Sequence, residues 1–125
     1  MIQSVERRNM SRGSHKDFAC LLNMLDAITK IEKYTSEHSS ADEFYEDSQA
    51  FDATMMNFIV IGEMAEKLSD VYQDLTSGEV DWFEIRGLRN IVAHDYFGID
   101  AEEIWQIINT HLQLLKSFIK QETGE

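Results

Sequence analysis

An all-α fold, an up-down bundle of four main helices, is predicted by three observations. Apolar residues recur every three or four positions through most of the 125-residue chain, the spacing of one helix face. There is no proline and the six glycines are scattered, whereas a β-rich chain of this length needs denser turn punctuation. Three of the four long apolar runs also follow a Ser or Asp of the kind that caps a helix N-terminus. A chain of this size forms one domain and buries about 65–70% of its unfolded surface without staples.

The elements follow in order. Residues 1–13 are polar and aperiodic and read as a flexible N-terminal extension, with Met10 a candidate alternative start. The bundle domain spans 14–121, and 122–125 form a C-terminal tail. Ser14 with Asp17 three residues on resembles a capping box. Phe18, Leu21, Leu22, Leu25, Ile28, Ile31 and Tyr34 then mark a first helix over about 15–35. The polar, acidic stretch 36–48 is a loop with room for one helical turn, plugged by Phe44 and Tyr45. A second helix over about 48–72 carries Phe51, Met55, Phe58, Ile59, Gly62, Ala65, Leu68 and Tyr72. Its middle, Met55 to Ile61, is apolar nearly all round and should be buried on more than one side. Gly62 costs about 1 kcal/mol against alanine inside a helix. A close helix–helix crossing accounts for it; a tolerated weak spot is the other reading.

Gly78 turns the loop 76–80, and Asp81 caps a third helix with the stripe Trp82, Ile85, Leu88 and Val92, ending near His94 or Tyr96 ahead of Gly98. Asp100 and Glu103 open a fourth helix over about 101–121, with Ile104, Ile107, Ile108, His111, Leu112, Leu115, Phe118 and Ile119.

Composition bounds the function. The net charge is −12, and almost all of it lies in residues 37–85, which hold thirteen acids and one lysine. That argues against broad coating of nucleic acid, which needs basic surface, but leaves room for a small phosphate site. The single cysteine, Cys20, reads as a core filler, excludes an intrachain disulfide and fits a reducing compartment. No apolar run approaches the ~18 residues of a membrane span and Met1–Met10 is polar, so a cytoplasmic protein is expected. No His, Cys, Asp and Glu grouping has metal-ligand spacing, and no glycine-rich phosphate loop occurs; neither a metal nor a cofactor is expected.

Chemistry concentrates in Arg89-Asn90-Ile91-Val92-Ala93-His94-Asp95-Tyr96. An arginine grips phosphate oxygens in a planar fork, a histidine moves protons near neutral pH, and a tyrosine hydroxyl donates, accepts or is modified. Each has a plainer reading. Arg89 fits a structural salt bridge to Glu63 or Glu66, His94 fits a cation at a helix C-terminus, and Tyr96 fits an aromatic packed under the last helix. His111, on the apolar face, reads as core or interface, and His15 and His38 as surface. Positions seven apart nearly realign on an ideal helix whereas positions five apart differ by about 140°. Arg89 and Tyr96 can therefore share a face. His94 joins them only if the helix loosens around Ala93 or if the site draws on two subunits.

The run from Trp82 to Asp100, WFEIRGLRNIVAHDYFGID, resembles the signature of the HepT-like toxins of the HEPN superfamily. Ile59-Val60-Ile61-Gly62-Glu63-Met64-Ala65 is similar to that family's "IGEA" segment with Met for the first Ala, residues 22–32 match its first helix in character, and the acidic Phe44 loop has a counterpart. The likeness covers about residues 12–119. It departs where Val80-Asp81 replaces a proline common before the tryptophan, and in the N-terminal extension. The resemblance implies a HEPN-like bundle that pairs as a homodimer, with two motif copies facing one cleft. It implies a metal-independent endoribonuclease toxin whose antitoxin is a minimal nucleotidyltransferase (MNT). On that pattern Arg89 holds the scissile phosphate of an RNA substrate and His94 is the general acid or base. Asn90 orients either group, and Tyr96 is both a site residue and the hydroxyl to which the partner attaches AMP. The alternative is a non-catalytic helical module that binds a nucleotide or docks the nucleotidyltransferase.

Overall fold

The structure is a computed structural model that describes residues 12–95 and 98–125, without the side chains of residues 93–95. Among the described residues there are seven α-helices and no strand: α1 (His15–Thr35), α2 (Ala41–Glu46), α3 (Ser48–Lys67), α4 (Asp70–Thr76), α5 (Trp82–Asp95), α6 (Ala101–Asn109) and α7 (His111–Thr123). No helix among them is long and apolar enough to cross a membrane.

Helix α1 begins as its capping box requires. Ser14 Oγ accepts from the Asp17 backbone N–H at 3.1 Å, and Asp17 Oδ2 accepts from the Ser14 backbone N–H at 3.0 Å. Its inward face is Cys20, Leu21, Met24, Ala27, Ile28 and Ile31. Phe18, Leu22 and Leu25 are only half-buried, so the core face is rotated from the stripe expected. Cys20 is a buried core residue, and burial, with Asp17 nearby, pushes its thiol up from the ordinary range.

The acidic stretch after α1 contains the short helix α2, capped by Ser40, whose Phe44 is fully buried and packs on Phe51 and Trp105. His38 is no free surface group: its Nε2 lies 3.1 Å from Asp47 Oδ2. Helix α3 is the central element and packs against both α1 and α5. Met55, Phe58 and Ile61 are buried, Ile59 and Val60 half-buried, and Met56 faces outward.

The expected second and fourth helices are each broken. Leu68 turns to extended backbone and Ser69 starts α4, with the Tyr72 N–H donating to Ser69 Oγ at 3.2 Å. The break serves a buried polar knot. The Ser69 N–H and hydroxyl donate to Asp17 at 2.7 and 2.8 Å, and the Tyr72 hydroxyl donates to Glu122 at 2.7 Å. Burial and the Glu122 carboxylate push the Tyr72 phenol well above its ordinary range. The second break is at Thr110, whose hydroxyl and backbone N–H both donate to the Gln106 carbonyl, at 2.6 and 3.0 Å. Helix α7 runs on to Thr123 with Glu122 buried. His111 is half exposed rather than in the core, and its Nε2 lies 3.4 Å from Glu84.

Candidate functional site

The ends of α5 are set before its chemistry is. Asp81 caps it by accepting from the Glu84 N–H at 3.1 Å. Trp82 is buried, donates through Nε1 to Thr76 Oγ1 at 2.8 Å and meets Phe118 edge-on. Ile85, Leu88 and Val92 then face the core. This leaves Phe83, Arg86, Gly87, Asn90 and part of Arg89 on the outer side.

Gly62 brings α3 against α5. A Cβ added there would stand 2.9 Å from both Cβ and backbone N of Arg89 and 3.2 Å from the Arg86 carbonyl oxygen. Those are mostly backbone atoms, which cannot step aside. Of the two readings of this glycine, the close crossing is the one found.

Arg89 Nη1 lies 3.2 Å from Glu63 Oε1, so the expected partner on the second helix is there. Both side chains remain about two-fifths exposed, 41% and 42%. An ion pair so wet contributes typically less than 1 kcal/mol and separates readily for a stronger anion. The Arg86 guanidinium donates to Gln73 Oε1, and Gln73 Nε2 in turn donates to the Leu68 carbonyl at 2.9 Å. The C-terminal end of α3 and the start of α4 thus brace a second cation. A groove of about 150 Å³ lies between α3 and α5, lined by Glu66, Phe83, Arg86, Gly87, Arg89 and Asn90.

Arg89 and Asn90 are therefore brought together at one open groove. The side chains of His94 and Tyr96 lie outside the described residues. The backbone is α-helical through Asp95, without loosening at Ala93, so positions 89 and 94 stay about 140° apart on the helix. Arg86 and Phe83 line the same groove and were not singled out in the sequence; Glu66, expected only as an ion-pair partner for Arg89, lines it too. The signal was available: Phe83, Arg86, Gly87 and Asn90 stand at i, i+3, i+4 and i+7, one helix face. Among the described residues no group of three or more His, Cys, Asp or Glu is placed to hold a metal ion.

Comparison with known proteins bears on this site. The family model described as "Ribonuclease HepT-like" matches residues 24–122. A protein of Thermococcus cleftensis named "Probable ribonuclease HepT" is 30% identical over 105 residues, covering 84% of this chain and 92% of that one. One from Methanocaldococcus jannaschii, named as a "Putative RNase", is 27% identical over 111 residues, covering 89% and 98%. A longer protein of the same organism, named "Gamma-glutamylcyclotransferase and putative RNase", is 29% identical over 105 residues, covering 83% of this chain but 46% of its own length. No solved structure matches the chain significantly. With the motif, the helical bundle and a family match over most of its length in agreement, this chain belongs to the HepT-like ribonuclease family of the HEPN superfamily.

Proposed function

We propose that the protein is a metal-independent endoribonuclease, the toxin of a toxin–antitoxin pair, acting through Arg89 and His94 at the cleft of a homodimer. The observation that carries this reading is the placement of Arg89: a guanidinium beside Asn90 on an open groove, whose ion-pair partner among the described residues is the half-exposed carboxylate of Glu63. Membership of a ribonuclease family supplies the substrate class. The 2′-oxygen of a ribose attacks the adjacent phosphorus, and the bond from phosphorus to the next nucleotide's 5′-oxygen breaks. The products are a 2′,3′-cyclic phosphate and a 5′-hydroxyl. His94 moves the proton as general acid or base, and Arg89 stabilises charge growing on the phosphoryl oxygens. Asn90 orients one of them.

An unbroken α5 supports a site shared between subunits, because one chain's helix register separates positions 89 and 94. In this reading an MNT-type nucleotidyltransferase disarms the toxin by transferring AMP from a nucleoside triphosphate to the Tyr96 hydroxyl, releasing pyrophosphate. Bulk and negative charge at the cleft then exclude RNA.

Purified protein incubated with total RNA in EDTA is the test. Cleavage is expected to persist in chelator, and His94→Ala is expected to slow it by about 10²–10⁴-fold, the usual worth of general acid–base catalysis. An alanine variant as active as its parent overturns the proposal. The acidity of residues 37–85, which repels RNA, favours a second reading, a module that docks a nucleotidyltransferase without cutting RNA. Absence of RNA binding even at low salt would decide for it.

A further inference from the structure

We propose that Phe83, Arg86 and Asn90, on one face of α5, form a subsite that stacks an unpaired base of single-stranded RNA on Phe83 and holds the adjoining phosphate on Arg86. The inference rests on the ribonuclease reading and adds to it where the strand lies beside the scissile phosphate.

Phe83 is 79% exposed, the most open large hydrophobic side chain among the described residues. On one side it shares a groove with Glu66, Arg86, Arg89 and Asn90, in which it is the one aromatic; on the other it borders Val80, Trp82 and the acids Asp74 and Asp81. A single aromatic beside guanidinium groups is the composition that binds single strands, where bases stack on rings and cations follow the backbone.

Arg86 is built into the site rather than waving from it. It is half-buried, and its guanidinium is oriented by the bond to Gln73. Gly87 has open space where a Cβ would stand, so the groove floor between Phe83 and Asn90 stays clear. Helix register extends the line: position 94 falls within about 20° of position 83, three turns and about 16 Å further along the axis. A strand following this face reaches from Phe83 over Arg86 and Asn90 to the motif, a few nucleotides in all. Glu66 is the opposing charge at the rim. Its carboxylate repels phosphate, keeping the backbone on the Arg86 side and weakening the grip on RNA.

The test is binding of a short single-stranded RNA with 2′-O-methyl ribose, which lacks the attacking hydroxyl and reports affinity without cleavage. Phe83→Ala is expected to weaken it between about fivefold and 150-fold, the equivalent of 1–3 kcal/mol per stacked base. On cleavable RNA the loss falls on KM rather than on kcat. Phe83→Trp is expected to retain affinity, with emission quenched when the oligonucleotide stacks on the new indole. Glu66→Gln is expected to tighten binding at low salt. Parental affinity and KM in Phe83→Ala, while the parent cleaves RNA, overturn the subsite and leave the ribonuclease reading standing. If the parent neither binds nor cleaves RNA, both fall. A Phe83→Ala protein that elutes as a smaller species assigns the residue to a contact between copies and overturns the subsite.

Discussion

Asp17 is buried, yet its carboxylate has hydrogen bonds from the backbone N–H and hydroxyl of both Ser14 and Ser69. Burial raises its pKa, but the four bonds outweigh burial and hold it below the usual carboxylate range. A group lowered in the folded state contributes stability that is present above its unfolded pKa, about 3.9, and is lost as pH falls through the folded value. Asp17→Asn keeps the shape and loses the charge. At neutral pH it is expected to unfold more easily by about 1–3 kcal/mol, the cost of spoiling a charged buried hydrogen-bond set. Urea melts of the two proteins should converge as pH drops below 4; a constant gap down to pH 2 would contradict this account. The sequence identified Asp17 as the partner in a capping box. It could not identify Ser69, because a contact 52 residues away leaves no local pattern. Arg89 behaves likewise. That it needs a carboxylate was legible, but that Glu63 and not Glu66 takes it, and leaves it open to solvent, follows only from how α3 lies on α5.

At the scale of elements, the helix starts were legible and two interruptions were not. Ser14, Asp81 and Asp100 each cap a helix, because capping is a bond between near neighbours. The breaks at Leu68 and Thr110 went unpredicted because apolar periodicity continues across them: Leu68 and Tyr72 are both buried, and so are Ile108 and Leu112. A change of helix axis keeps the inward residues inward, so the pattern cannot register it. Gly62 carries the prediction for this scale. Alanine there gains about 1 kcal/mol of helix propensity, but its Cβ would press on Arg89 backbone at 2.9 Å. The overpacking cost, about 1–3 kcal/mol, should exceed the gain. Gly62→Ala is expected to lower the urea midpoint and to reduce RNA cleavage more than the stability loss explains, since Arg89 moves with α5. A more stable Gly62→Ala protein would show that the crossing has slack.

At the scale of the whole molecule, the proposed reaction depends on a two-fold assembly. In that proposal a shared groove contains two arginine–histidine sets, because an isologous interface presents the same patch from both sides. Mixing provides the check. Arg89→Ala and His94→Ala proteins, each inactive alone, are expected to recover cleavage in proportion to the mixed dimer formed, because that dimer keeps one arginine and one histidine in its groove. Mixed dimers confirmed by native mass spectrometry but devoid of activity would place each site within one chain. What the sequence determined by itself was local or periodic: helical class, caps, most of the core, the motif and, through its resemblance, the family. What only the tertiary structure decided was which distant groups meet: Asp17 with Ser69, Tyr72 with Glu122, Gly62 under Arg89, and Glu66 at one groove with Phe83 and Arg86. The physical reason is that capping and periodicity act over one or two turns, whereas these pairings depend on the angle and offset at which whole helices pack.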